Sequence, residues 1–105
     1  MLIAEAFNDG DSIDIIMERY EIKLATVLDH FLKYLQAGES LRSDELLSFS
    51  SITSDQIEPV LDAFERVGTD FLKPAHDALE GKIYYDNLKV LRVYYLSTRP
   101  SSPAS

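Results

Sequence analysis

Four polar residues lie at the spacing of one helix face, and their side chains suit contact with a polyanion: Lys23, Thr26, His30 and Lys33. Lysine ammonium groups can meet phosphates, while a hydroxyl or an imidazole can approach phosphates or base edges. Asp29 lies on the same helix and opposes a phosphate unless it accepts a hydrogen bond from cytosine. The alternative interpretation is structural, with Thr26 capping or packing and His30 orienting the helix from a partly buried position.

A second set of candidates lies towards the C-terminus, where residues 71–105 carry a net charge of +2. Lys89 and Arg92 are three residues apart and therefore share a helix face, with Lys82 nearby in the sequence. Three tyrosines offer rings on which bases can stack, namely Tyr84, Tyr85 and Tyr94. The alternative is a solvated helix face whose tyrosine rings are partly buried, with their hydroxyls at the rim.

The residue types give little support for catalysis, a metal site or a cofactor. The chain has no Cys, which excludes a thiolate zinc site and a cysteine nucleophile. Its two histidines, His30 and His76, have no patterned set of carboxylate ligands. The phosphate-loop pattern G-x-x-x-x-G-K-[ST] is absent, and the four glycines stand in turn contexts. We therefore expect a non-enzymatic domain with no catalytic residue, no metal ligand and no cofactor.

The first set of candidates falls within a predicted helix-turn-helix, Ser12–Gly38. A short helix from Ser12 to Arg19 leads through a tight connection, Tyr20–Lys23, into a longer helix from Leu24 to Ala37. The apolar residues of the longer helix recur at the spacing of a single stripe, which predicts that one face packs inward: Leu24, Val27, Leu28, Phe31, Leu32 and Leu35. The facing stripe on the short helix is Ile13, Ile16 and Met17.

The rest of the chain also favours helices, so the predicted fold class is all-α, a compact multi-helix domain. Residues 2–7 form a short apolar helix, and Ser43 to Leu47 indicate a cap with one or two helical turns. Thr53 and Gln56 have capping-box spacing before an apolar face of Ile57, Val60, Leu61, Phe64 and Val67. Pro59 leaves the start of that helix open. Either the helix begins at Thr53 and contains Pro59, or it begins near Glu58.

Further along the chain, Pro74 can open a helix that reaches Leu79, and a last helix runs from about Tyr85 to Ser97. Leu88, Leu91 and Tyr95 share a face of that last helix. Lys82-Ile83 is compatible with one very short extended segment between them. The predicted domain covers residues 1–97, and residues 98–105, rich in Ser and Pro, are predicted to be a disordered tail.

Length and charge limit the possible functions. A chain of 105 residues with 46% hydrophobic content can bury one modest core. The negative charge is concentrated in residues 1–20 (net −4) and 39–70 (net −6), while residues 21–38 are neutral. With the +2 of residues 71–105, the total is −8. On average this acidity repels nucleic acid. With no Cys and no apolar run of membrane-spanning length, the expected location is the cytoplasm, with no membrane contact.

Several elements taken together resemble a known family: Thr26-Val27, His30-Phe31, Gly38, Gly68-Thr69-Asp70, Leu72-Lys73-Pro74, and Ile83 with Tyr85 and Leu88. They are similar to the helix-turn-helix module at the C-terminal end of many bacterial RecQ-type ATP-dependent DNA helicases. One departure is Tyr20, which stands in the connection where such motifs often use a small residue.

The resemblance implies a non-catalytic accessory module that assists DNA binding or positioning. Its partners are then DNA, bound weakly by the module alone, or the rest of a helicase. The alternative is an acidic protein-interaction domain whose residues 39–70 dock on a basic partner or on the parent helicase. A free-standing transcriptional regulator is a third possibility, although it normally needs a dimer and a more basic recognition helix.

Overall fold

A computed structural model of the chain describes residues 2–43 and 45–98. Within these residues the chain forms six α-helices and one 3₁₀ helix, and no strand. The helices are α1 (Leu2–Asn8), α2 (Ile13–Tyr20), α3 (Leu24–Gln36), α4 (Ser54–Val67), α5 (Leu72–Ala78) and α6 (Tyr85–Thr98), with the 3₁₀ helix at Leu46–Phe49. The prediction of an all-α fold is therefore confirmed. Helix α6 includes the first residue of the predicted tail, and residues 99–105 and Asp44 lie outside the described part.

The predicted helix-turn-helix is formed by α2 and α3. The Ser12 hydroxyl accepts a hydrogen bond from the Ile15 N–H (3.2 Å) and so caps the start of α2. Helix α3 is unbroken from Leu24 to Gln36, and Phe31 on its inner face is fully buried. Ile13 and Ile16 of α2 are buried in the same hydrophobic core. The apolar stripes therefore pack against each other as their spacing predicts.

The connection between the two helices differs from the predicted one at its first residue. Tyr20 is the last residue of α2, and it is partly buried against the core. The residue that reverses the chain is Glu21, whose backbone is left-handed, with φ 53° and ψ 49°. The Ile22 N–H then donates to the Met17 carbonyl (3.1 Å) and closes the turn. The position that favours a small residue is therefore Glu21 rather than Tyr20.

The segment after α3 fastens α1 and α2 to the rest of the fold. The Arg42 guanidinium lies over the Phe7 ring, with its carbon 3.9 Å from the ring centroid, and its Nη2 donates to the Asp11 carbonyl (2.9 Å). The Glu45 carboxylate accepts from the Ile13 N–H (2.8 Å) at the first turn of α2. These contacts fix the direction of α2, and through it the position of α3.

Helix α6 is shared by two hydrophobic cores. Val90 and Val93 belong to the core built by α1, α2 and α3, where the Phe7 and Phe31 ring centroids are 4.8 Å apart. The second core, built by α4 and α5, receives the face of α6 predicted from the sequence: Leu88, Leu91 and Tyr95. Because two opposite sides of α6 are apolar, its sequence shows no single clean stripe.

The two open alternatives for α4 are decided by its observed start. Helix α4 begins at Ser54, and the Thr53 N–H donates to the Gln56 side-chain oxygen (3.0 Å), as the capping-box spacing predicts. Pro59 therefore lies inside the helix and removes one backbone hydrogen bond. Val67, predicted on the apolar face, is 40% exposed because it is the last residue before Gly68 ends the helix.

The connection from α5 to α6 differs from the sequence prediction. Helix α5 begins at Leu72, so Pro74 lies in its first turn, where the backbone N–H groups have no partner within the helix. Lys82 and Ile83, suggested as a short extended segment, form an irregular connection instead of a strand. Ile83 is buried in the second core, which holds this connection in place without any strand pairing.

Candidate nucleic-acid interface

Helices α3 and α6 pack side by side, and residues from the first two turns of each line one surface. A groove of about 470 Å³ lies between them, and we name it the first groove. It is lined by Lys23, Leu24, Ala25, Leu28, Phe49, Ser51, Tyr84, Asp86, Asn87 and Lys89. A second groove of about 320 Å³ continues along the same two helices and is lined by Ala25, Thr26, Leu28, Asp29, Lys89, Arg92 and Val93.

Part of each set of candidates predicted from the sequence therefore lies on this one surface. Lys23 and Thr26 from the start of α3, and Lys89 and Arg92 from α6, line the two grooves. His30 and Lys33 lie further along α3 and border neither groove, and His30 is half-buried. Lys82 also lies outside both grooves and pairs with Glu80 (3.4 Å).

The basic residues of this surface differ in how far they are neutralised. Lys33 is paired with Asp29 one turn earlier on α3, at 3.2 Å. Within residues 2–43 and 45–98, by contrast, neither Lys23 nor Lys89 has a carboxylate at ion-pair distance. Lys23, which is exposed, and Lys89, which is half-buried, are therefore the two lysines at the grooves whose charge no neighbouring carboxylate offsets.

Arg92 is held more tightly than the lysines. Its Nη1 donates to the Thr69 carbonyl (3.3 Å), and its Nε is buried without a hydrogen-bond partner among the described residues. Burial lowers the pKa of Arg92, and the negative charge of Asp29 opposes that shift. An arginine remains protonated in proteins, so Arg92 contributes a fixed positive charge to the second groove.

The backbone at the start of α3 adds to the positive potential. Lys23 is the residue before the first turn, and its side chain makes no capping hydrogen bond. The Thr26 and Val27 N–H groups donate to the Lys23 carbonyl (3.0 and 3.1 Å), so the N–H groups of Leu24 and Ala25 are the ones left without a side-chain cap at the edge of the first groove. Free N–H groups and the helix dipole both favour an anion at such a terminus.

Comparison with known proteins adds one finding about the whole domain. A family model described as a helix-turn-helix domain matches residues 3–92, which is most of the chain. The chain belongs to this helix-turn-helix family. No curated protein and no solved structure matches it.

Helix-turn-helix domains in general bind nucleic acid and are typically non-catalytic. The family description names no helicase, so the link to RecQ-type enzymes remains a prediction. In a helix-turn-helix, the N-terminal residues of the second helix make the contacts with DNA. In this chain α3 is the second helix of the α2–α3 pair, and residues at its N-terminal end line the two grooves.

Several residues of the first groove carry no signal in the sequence. Phe49 and Ser51 come from the segment before α4, and only the folded chain brings them beside α3. Asn87 holds this wall, because its side-chain oxygen accepts from the Ser51 N–H and its nitrogen donates to the Ser51 hydroxyl, both at 3.0 Å. A tertiary hydrogen bond between such distant residues has no local sequence pattern.

The three tyrosines proposed as stacking surfaces have different environments. Tyr84 lines the first groove and is 74% exposed. Tyr85 is 42% exposed and stacks on His76, with ring centroids 4.3 Å apart. Tyr94 is half-buried and packs against both cores. Tyr84 is therefore the ring best placed to receive a ligand in the groove.

The described residues show no arrangement for metal chemistry or for crossing a membrane. Among residues 2–43 and 45–98, no group of three or more His, Cys, Asp or Glu side chains is placed to hold a metal ion. No helix in this described part is both long enough and apolar enough to span a membrane.

Proposed function

We propose that this domain binds DNA through the surface formed by the first two turns of α3 and of α6. The observation that carries the proposal is the position of Lys23 and Lys89. They come from different helices, line the same groove and have no ion-pair partner in the described part of the chain. Lys23 also precedes the uncapped first turn of α3, the helix that contacts DNA in helix-turn-helix domains.

We assign the individual residues as follows. Lys23 and Lys89 contact phosphates, and Arg92 adds a fixed charge beside them. Thr26 is exposed on α3 and lies close enough to the helix start to reach a phosphate or a base edge. His30, Lys33 and Lys82 have secondary roles, since Lys33 and Lys82 already have carboxylate partners and His30 is half-buried.

Binding by the isolated domain should be weak, because its net charge is −8. We therefore propose that it acts as a non-catalytic accessory module of a larger chain, and the resemblance to RecQ-type DNA helicases makes such a helicase the favoured parent. Attachment to a chain that already holds DNA raises the effective concentration of DNA at the module. A few phosphate contacts then suffice to position the strand.

The proposal is tested by charge reversal at the groove. Lys23→Glu and Lys89→Glu should each weaken binding of a labelled duplex by about three- to tenfold at low salt, because each replaces a phosphate contact by a repulsion. Fluorescence anisotropy measures this at low and at physiological salt, and binding of the unmodified domain should fall as salt rises.

Lys73→Glu is the matched control, since it makes the same charge change at an exposed lysine outside both grooves. It should change the affinity by less than about twofold. Equal effects of all three substitutions would mean that net charge, and not this surface, governs binding. Absence of duplex binding at low salt would overturn the proposal.

A second candidate function is docking on a basic protein partner. It is favoured by four exposed carboxylates that follow one face of α4: Asp55, Glu58, Asp62 and Glu65. This face belongs to the most acidic segment of the chain, residues 39–70. A domain that fails to bind DNA at low salt but binds a basic region of its parent chain would have this function instead.

A further inference from the structure

The first groove has a chemical character that phosphate contacts alone do not explain. Its lining includes the apolar side chains of Leu24, Leu28 and Phe49 beside the two lysines. An apolar lining offers nothing to a hydrated phosphate. It suits a ligand that has a flat apolar face as well as a negative charge, and a nucleotide with an unpaired base is such a ligand.

Tyr84 supplies the surface on which that base can stack. Its side chain is 74% exposed and lines the groove, so the ring is accessible to a base there. The Tyr84 carbonyl accepts from the Leu88 N–H (3.0 Å) and so joins the residue to the start of α6. The exposed ring is thus carried on a fixed backbone directly before α6, the helix that contributes Lys89 to the same groove.

The remaining polar groups of the groove differ in which part of a nucleotide, base or phosphate, they can bind. Asp86 repels a phosphate but can accept a hydrogen bond from the amino group of a base. Asn87 is occupied with Ser51, so it keeps the groove wall in place and does not compete for the ligand. The groove thus offers Tyr84 and Asp86 to a base, and Lys23 and Lys89 to a phosphate.

We propose that the first groove holds an unpaired base of a single strand that adjoins the duplex bound by α3. A base inside a duplex is stacked on both faces and paired along its Watson–Crick edge, so it cannot enter the groove. The substrate is therefore a junction between double- and single-stranded DNA. This inference rests on the proposed function, because it needs α3 to hold the neighbouring duplex.

The test compares a blunt duplex with the same duplex carrying a single-stranded overhang. The unmodified domain should bind the overhang duplex more tightly. Tyr84→Ala should reduce affinity for the overhang duplex by about five- to fiftyfold, as expected for loss of one stacked base, and should leave blunt-duplex affinity within about twofold. Tyr84→Phe should retain binding, since the ring and not the hydroxyl makes the contact.

Tyr85→Ala is the matched control, because Tyr85 is the neighbouring tyrosine, lies outside both grooves and stacks on His76. It should keep the overhang preference. A 2-aminopurine base in the overhang supplies a second readout, since stacking on Tyr84 should quench its fluorescence in the unmodified domain and not in Tyr84→Ala. Circular dichroism of each variant checks that the fold is retained.

Two results would overturn the inference and can be told apart. If the blunt duplex binds and responds to Lys23→Glu, but the overhang and Tyr84→Ala have no effect, the groove takes no base and the proposed function survives. If no DNA binds at all, both the inference and the proposed function are wrong.

Discussion

At the residue scale, Asp29 places a negative charge among the cations of the proposed DNA-binding surface. Asp29 lies in the second groove, pairs with Lys33 at 3.2 Å and opposes the lowering of the Arg92 pKa. One carboxylate thus acts on Lys33 and Arg92, two of the cations that the sequence predicts to contact DNA. The exposed ion pair between Asp29 and Lys33 adds little to the stability of the fold. The main effect of Asp29 is therefore the negative charge that it adds to the second groove.

Asp29→Asn should therefore raise duplex affinity by about three- to tenfold at low salt, because it removes a negative charge close to the bound phosphates. Asp62→Asn on α4 makes the same charge change at another exposed carboxylate and should have a much smaller effect. Anisotropy titrations of both variants give the comparison. A fall in affinity for Asp29→Asn would contradict this electrostatic account and would assign Asp29 to a base contact.

At the element scale, the left-handed residue in the turn between α2 and α3 determines how the helix-turn-helix is held. Glu21 has φ 53°, a region that L-residues with a Cβ adopt at a cost. The same substitution at two nearby glutamates should therefore have opposite effects on stability. Glu21→Gly should raise the free energy of unfolding by about 0.5–1 kcal/mol, because glycine adopts this conformation without strain.

Glu18→Gly is the matched control, since Glu18 is an exposed residue inside α2. It should lower the free energy of unfolding by about 1 kcal/mol, the usual cost of glycine in a helix interior. Urea denaturation followed by circular dichroism measures both values. If both substitutions lowered the free energy of unfolding, the Glu21 side chain would make a contact that stabilises the fold by more than glycine gains in the left-handed conformation.

The elements also show which features can be predicted from sequence. Local signals were sufficient for the stripe of α3 and for the Thr53–Gln56 capping box, because each depends on residues within a single helix. The second buried side of α6, with Val90 and Val93, has no such signal. It depends on how α1 to α3 pack, which is a property of the whole chain.

The same reasoning applies to the candidate site. Residue type and spacing identified Lys23 and Thr26 on one helix, and Lys89 and Arg92 on another. They could not show that the two sets adjoin, because that contact depends on the packing of α3 against α6. For the same reason, Phe49 and Ser51 were not foreseen as parts of the groove.

At the scale of the whole molecule, the charges of the chain are segregated. Residues 1–20 and 39–70 carry −10 between them, which the +2 of residues 71–105 reduces to the net −8, whereas Lys23, Lys89 and Arg92 gather at the grooves. This distribution explains how an acidic domain can present a local surface for a polyanion. It also explains why the affinity of the isolated domain should be low and why attachment to a larger chain would help.

The most direct measurement of the central claim is an NMR titration of the ¹⁵N-labelled domain with a short duplex at low salt. The account predicts that amide shifts concentrate at Lys23 to Thr26, at the start of α3, and at Asp86 to Arg92 in α6, and that they diminish as salt is added. Shifts confined to α4, or no shifts at all, would contradict it.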